Sequence, residues 1–210
     1  MCIWLKSYHL SRCAFRNGRL LVRAIAVCIL LLATSTSPSI AANIDGAIAS
    51  VERIHALIIA SSTGPASKLA PVLERHLDLA TISEKVAGKA WGAANETERR
   101  DFRRVLRDIM TVELDRRIRS DDRLRINDAK PLGSRDVVVL TSQIRRDGSA
   151  RRLDWKMRPC GSSFCLFDLV GNGASLTIAR RDDYAARLRA LGGSLAALTA
   201  SLRADLDERK

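Results

Sequence analysis

The chain has 210 residues, with 35 Lys+Arg against 23 Asp+Glu and a formal net charge of +12. It holds only three histidines and five cysteines, so chemistry that rests on a histidine base or a His/Cys metal cage has few residues to draw on. The length, once a leader is set aside, suits one domain around one core.

Residues 1–23 carry Lys6, Arg12, Arg16, Arg19 and Arg23 and no acid. An unbroken apolar run follows over 24–33, then a small, polar stretch with Pro38. Ser39-Ile40-Ala41 or Ile40-Ala41-Ala42 offers small residues for cleavage. This is the order of a secretory signal, so 1–42 is read as a cleaved leader and 43–210 as one exported domain. The apolar run is too short to span a bilayer, which takes roughly twenty residues. Cys28 lies inside that run, with Ile29 and three leucines after it, which disfavours a lipoprotein. The basic segment before the run is long, and a start at Val22 would leave a compact signal; a Val22 codon other than GTG would rule that start out.

Without 1–42, 30 Lys+Arg remain against 23 Asp+Glu, a net charge of +7. A basic surface favours anionic partners such as lipid head groups and acidic protein faces. Cys160 and Cys165 remain as an even pair around a turn-like Gly161-Ser162-Ser163. In an oxidising compartment the spacing predicts a disulfide stapling two strands of a hairpin. The other three cysteines leave with the leader.

Along the domain, Ile44, Ile48, Val51, Ile54, Leu57 and Ile58 recur at helical spacing. Ser61-Ser62-Thr63-Gly64-Pro65 breaks that helix. A short helix is expected around Leu69, Val72, Leu73 and Leu77, and a third over 79–90. Trp91-Gly92-Ala93-Ala94-Asn95 reads as a turn. Asn95 and Glu98 have capping-box spacing, and they open a long helix with Phe102, Val105, Leu106, Ile109, Met110, Leu114 and Ile118 on one stripe. Arg99, Arg100, Arg103, Arg104 and Arg107 lie mostly off it; such a run is read as a solvated face paired with nearby acids rather than a nucleic-acid surface.

From Leu124 the period becomes two. Strands are expected from Leu124-Ile126, over 137–144, over 152–158 and over 164–170, with Asp147-Gly148 as a hairpin turn. Helices return over 175–191 and 194–206. The expected fold is α+β: a curved four-stranded antiparallel sheet packed against several helices that enclose an apolar cavity. Gly171-Asn172-Gly173 faintly resembles a phosphate loop but lacks its Lys and spacing; a tight strand-to-helix turn explains it.

Asp78, Ile82, Val86, Gly88, Trp91, Glu98 and Phe102 follow the order "D-x-x-x-I-x-x-x-V-L-G-x-x-W", a turn, then "E-x-x-x-F". Leu153-Asp154-Trp155-Lys156-Met157 and Cys165-Leu166-Phe167-Asp168-Leu169 are similar to two further strands, the second ending in Asp-Val. Gly173-Ala174-Ser175-Leu176, Arg181, Tyr184, Gly192-Gly193, Leu195, Leu198 and Leu202 complete the order "E-G-V-S-L", Arg, aromatic, "G-G-x-x-x-L". Over roughly 70–206 this resembles the MlaC family of periplasmic phospholipid carriers. Departures are Ala87 for a usual leucine, Asn172 for the glutamate, Ala174 for valine, Ala179 for an aromatic, the doubled Arg180-Arg181, and the cysteine pair.

The resemblance implies a periplasmic shuttle for phospholipid or a related lipid, hopanoid-type cargo included. It implies docking to an outer-membrane lipid complex and to an inner-membrane lipid ABC transporter, and a part in outer-membrane lipid asymmetry. No catalytic residue, cofactor, metal or nucleic-acid partner is expected, and the domain is expected to be a monomer. Two long acyl chains involve a burial term on the order of 20 kcal/mol at ~0.8 kcal/mol per methylene, so a deep apolar pocket is required. Candidate wall residues are Val86, Leu106, Ile109, Met110, Val138, Leu140, Trp155, Phe167, Leu169 and Leu188. Two other readings remain open: an envelope interaction module of the same fold without ligand, and a small-molecule isomerase or dehydratase using Asp154 or Asp168. His55 and His76, both in helical stretches, join no Ser/His/Asp ordering.

Overall fold

A computed structural model describes residues 40–62, 64–65, 68–117 and 119–208. The leader read over 1–42 lies outside the described residues except for the first turn of helix α1 (Ile40–Ser61). Ile118, the expected end of the long stripe, also lies outside them. The described elements are seven helices and five strands. After α1 come α2 (Leu69–His76), α3 (Leu79–Ala87), α4 (Lys89–Ala93) and α5 (Glu96–Arg117). Strands β1 (Arg123–Leu132), β2 (Asp136–Ile144), β3 (Ala150–Cys160), β4 (Ser163–Gly171) and β5 (Ala174–Ser175) follow, then α6 (Leu176–Ala190) and α7 (Leu195–Asp207).

The helices start where polar side chains catch free amides. Asp78 accepts from Thr81 N at 3.0 Å, Ser175 from Ile178 N at 3.1 Å and Ser194 from Ala197 N at 3.2 Å. Asn95 and Glu98 form the reciprocal pair expected of them: Asn95 Oδ1 accepts from Glu98 N at 3.0 Å, and Glu98 Oε2 accepts from Asn95 N at 2.8 Å. The helix expected over 79–90 is in fact two. Gly88 sits at φ 56, ψ −130, a conformation essentially open to glycine alone. It ends α3, and the presumed turn at Trp91 is the short helix α4.

The sheet is an antiparallel meander in the order β1-β2-β3-β4-β5. It has five strands, not four. Gly171 pairs with Ala174 across Asn172 and Gly173, both at positive φ (49 and 87). Two such residues make the tight reversal that suits a hairpin, so the strand-to-helix turn is a two-residue hairpin with a short final strand. Side-chain parity follows from the register. Val137, Val139, Thr141 and Gln143 on β2 stand opposite Met157, Trp155, Leu153 and Arg151 on β3, and all of the β2 set are buried.

Two bulges re-aim the flanking strands. In β1 the pairing slips between Ile126 and Asp128, which puts Leu124, Ile126 and Ala129 on the inner face. In β4 it slips at Phe167, which puts both Leu166 and Leu169 inward, opposite Met157 and Trp155. Helix α1 lies across this face against all four long strands. Ser50 on α1 meets Ser163 of β4, Oγ to Oγ at 3.2 Å. The α2–α3 link pairs with the part of β4 that β5 leaves open: Leu77 bridges to Leu166, and Asp78 N donates to Leu166 O at 2.9 Å. The long α5 packs over α2, α3 and α7. Cys160 and Cys165 are joined at the tip of the β3–β4 hairpin, with Cα atoms 5.5 Å apart.

Candidate functional site

A pocket of about 220 Å³ lies between the inner face of the sheet and helices α1, α2, α3 and α5. Its apolar walls are made in layers. Leu73 comes from α2, Leu77 from the link just after it, Ile82 and Val86 from α3, and Met110 and Leu114 from α5. The sheet supplies Leu153, Trp155, Leu166 and Leu169, and α1 supplies Ile58 and Ile59. The Phe167 bulge is what allows two β4 leucines only three positions apart to share this wall. Trp155 is tied to the neighbouring strand: its indole N–H donates to Thr141 Oγ1 at 3.1 Å.

The other end is polar. Gln143, Arg151 and Gly171 lie where β2 ends, β3 begins and β4 ends; Glu113 and Arg117 close α5, and Thr177 and Arg180 open α6. Arg117 and Leu176 are solvent-exposed, so this end reaches the surface. Arg180 pairs with Glu113 and also donates to Tyr184 Oη at 3.3 Å. Burial opposes the charge of Arg180, but these two partners outweigh it and its pKa is raised. Gln143 links two groups, donating to Asp122 Oδ2 at 2.7 Å and accepting from Arg151 Nη2 at 2.8 Å. His55, on α1, completes this end. Burial lowers its pKa, with Asp122 offsetting part of the effect, so it is neutral at neutral pH.

Asp168 anchors the neighbouring β4–α6 connection. It accepts from Lys156 Nζ at 2.9 Å, from Ser175 Oγ at 2.9 Å and from Thr177 N at 3.3 Å. Burial raises its pKa, but these bonds and the Lys156 charge overcome that and leave it below the ordinary carboxylate value. Asp154 forms a bidentate pair with Arg152. Each carboxylate of the enzyme reading is thus taken up by a cation.

Of the ten expected wall residues, four meet in the pocket: Val86, Met110, Trp155 and Leu169. Leu106 and Ile109 are buried on α5, outside its lining, and Leu188 is buried on α6, which packs against α3. Val138 and Leu140 point to the other face, because the odd-numbered residues of β2 face inward. Phe167 is the bulge residue, with Lys85 Nζ and Arg158 each 4.5 Å from its ring centroid. Sequence reasoning missed the α2 wall and the polar end. Leu73 and Leu77 had a helical signal, but His55, Gln143 and Arg151 had none that set them apart.

Two further clefts flank the pocket. One of about 400 Å³ shares Glu113, Arg117, Leu176 and Arg180 with it. The other, of about 590 Å³, is lined by Arg100, Arg103, Arg104, Arg107 and Arg158 beside the disulfide. Four of its five arginines are engaged with acids: Arg103 with Glu96, Arg104 with Asp101, Arg107 with Glu74 and Asp108, and Arg158 with Asp136 and Asp78; Arg100 donates to Thr97 Oγ1. Among the described residues no helix is long and apolar enough to cross a membrane, and no group of three or more potential metal ligands occurs.

No curated protein matches the chain. Among solved structures, it is similar to a phospholipid-binding protein from Ralstonia solanacearum, in complex with a phospholipid. The TM-score is 0.64 at 15% identity, over 77% of this chain and 97% of that one, a likeness of fold. Residues 43–204 match the family described as MlaC protein. That match spans most of the chain, every strand and the walls of the pocket, and the chain belongs to the MlaC family.

Proposed function

We propose that this protein is a periplasmic lipid-binding shuttle. It carries phospholipid or a related lipid, one acyl chain at least in the pocket, between the outer membrane and an inner-membrane ABC transporter. The observation that carries the reading is the pocket itself: aliphatic walls from four helices and the sheet, with polar side chains at the end that meets solvent. Membership of a family of periplasmic lipid carriers and the phospholipid bound by the Ralstonia relative support it. Export through the 1–42 leader and a monomeric state belong to the same reading.

The pocket of about 220 Å³ is smaller than the roughly 300–1,000 Å³ of pockets that hold drug-sized ligands. A lipid therefore has to part α1 and α5 from the sheet as it enters. Burying a sixteen-carbon chain supplies about 13 kcal/mol at ~0.8 kcal/mol per methylene, enough to offset such a rearrangement. The same small volume favours the second reading, an envelope interaction module that holds no ligand.

Native mass spectrometry of the exported protein, followed by lipid extraction, separates the two. Retained lipid that is lost on substituting Met110→Trp supports the shuttle. Protein that carries no lipid, and takes none from vesicles, defeats it.

A further inference from the structure

The outer surface around the pocket's opening is both greasy and basic. Leu176 and Ile178, in the first turn of α6, are the two most exposed large apolar side chains among the described residues, at 45% and 52%. Leu176 is pocket wall and outer surface at once. An aliphatic side chain in that place carries the apolar interior out into water, where covering it is favourable.

The positive charge of the domain gathers at the same end. Arg123 of β1 pairs with Ile144 of β2, and Ile144 with Ala150 of β3, so the α5–β1 connection and the β2–β3 turn lie side by side here. Arg117 and Arg151, from the two sides, reach the pocket. Residues 115–125 and 145–154 hold nine arginines and five aspartates, a net charge of +4 out of the +7 carried by 43–210. Asp122 and Asp154 are buried, whereas Arg117, Arg123, Arg145 and Arg146 are exposed. Arg117 and Arg123 make no ion pair among the described residues, and Arg146, with its side chain 91% exposed, has Asp121 only at 3.9 Å. The arginine cleft beside the disulfide, at the opposite end of the sheet, differs: most of its guanidiniums already have acids, at 2.4–3.6 Å in the ion pairs of Arg158, Arg103 and Arg104.

Exposed aliphatic side chains ringed by arginines match a negatively charged lipid surface, which offers an apolar layer beneath a layer of anions. An acidic protein face would answer the charge alone. A bilayer also answers Leu176 and Ile178, and it gives an acyl chain a route along Leu176 into the pocket that stays out of water.

We infer that this end of the molecule is a docking face for an anionic bilayer. Leu176 and Ile178 enter the head-group layer, and the arginines of the α5–β1 connection and the β2–β3 turn lie over its negative charge. The inference goes beyond the carrier reading, because it concerns the outer surface and not what the pocket holds.

The test is flotation of the exported protein with vesicles of phosphatidylcholine alone or with about one-third phosphatidylglycerol, at low and high salt. Partitioning onto the phosphatidylglycerol vesicles should be ten-fold or more stronger at low salt and should fall as salt rises. Arg145→Gln/Arg146→Gln, in an exposed turn outside the pocket, should weaken it by about five-fold or more, at roughly five-fold per arginine near a charged surface. Its retained lipid, read by native mass spectrometry, should not change. Leu176→Ser/Ile178→Ser should also weaken partitioning, so a failure of one variant to fold leaves a readout. Arg100→Gln/Arg104→Gln, in the cleft beside the disulfide, should leave it unchanged.

Equal loss in the Arg100/Arg104 variant would make the attraction one of overall charge and overturn the face. Binding that ignores salt and phosphatidylglycerol, or that survives in both variants at the opening, overturns it too. A wild type that retains lipid but floats with neither vesicle overturns it, leaves the carrier reading standing and points to an acidic protein as what this end meets. Charge-dependent flotation of protein that retains no lipid and takes none up defeats the carrier reading and leaves the docking face in place.

Discussion

The indole of Trp155 and the hydroxyl of Thr141 are locked in one relay. Trp155 Nε1 donates to Thr141 Oγ1 at 3.1 Å, and that hydroxyl donates onward to Leu153 O at 2.7 Å. Thr141 is fully buried and Trp155 nearly so. Thr141→Val keeps the shape and removes the acceptor, leaving the indole N–H buried and unmet. Denaturant unfolding should show a loss of about 1–3 kcal/mol. A loss below about 0.5 kcal/mol would mean that the indole finds another partner.

Asp168 should make the fold acid-sensitive. Its folded pKa lies below the ordinary carboxylate value, so its contribution is present above that value and lost as pH falls through the lowered one. At neutral pH, Asp168→Asn should destabilise by about 2 kcal/mol, the range of hydrogen bonds to a charged group. The gap between wild type and variant should narrow below about pH 4. Melting temperatures measured across pH 2–7 check this; a gap that widens in acid reverses the sign.

The Cys160–Cys165 bridge closes a short loop. On the chain-entropy account its removal costs about 2 kcal/mol. The double variant Cys160→Ser/Cys165→Ala should lose that much in chemical denaturation. It should keep bound lipid, because neither cysteine lines the apolar pocket.

Gly88 and Gly92 should respond oppositely to alanine. A Cβ meets nothing within 4 Å at either position, so only the backbone decides. Gly88 at φ 56, ψ −130 should lose about 1–3 kcal/mol. Gly92, inside α4, should gain about 0.5–1 kcal/mol. Thermal unfolding of the two single variants gives the comparison.

Much of the architecture was readable from local chemistry. The Asn95/Glu98 box, the two-residue period after Leu124 and the Asp147-Gly148 reversal each carry their structure in a few adjacent residues. The arginine run on α5 was legible in part: Arg103, Arg104 and Arg107 are paired with nearby acids, whereas Arg99 donates to the Trp91 carbonyl and Arg100 to Thr97. What escaped was set by relations between distant segments. Val138 and Leu140 look as apolar as Val137 and Val139, and only the pairing of β2 with β3 decides which pair faces inward. Asn172-Gly173 carried a hairpin signal that the following helix obscured. His55 and Arg151 are 96 positions apart in the chain, and no local pattern joins them.

The extra residue at Phe167 has a practical consequence for engineering and for comparing relatives. Before it, even-numbered positions of β4 look toward the inner face; after it, odd ones do, and β1 switches in the same sense beyond Ile126. A gapless alignment that carries one parity through either strand will swap lining for surface halfway along. Deleting Phe167 would restore an unbroken ladder in which Leu166 and Leu169 still stand opposite Met157 and Trp155, so the bulge could be lost without losing the wall.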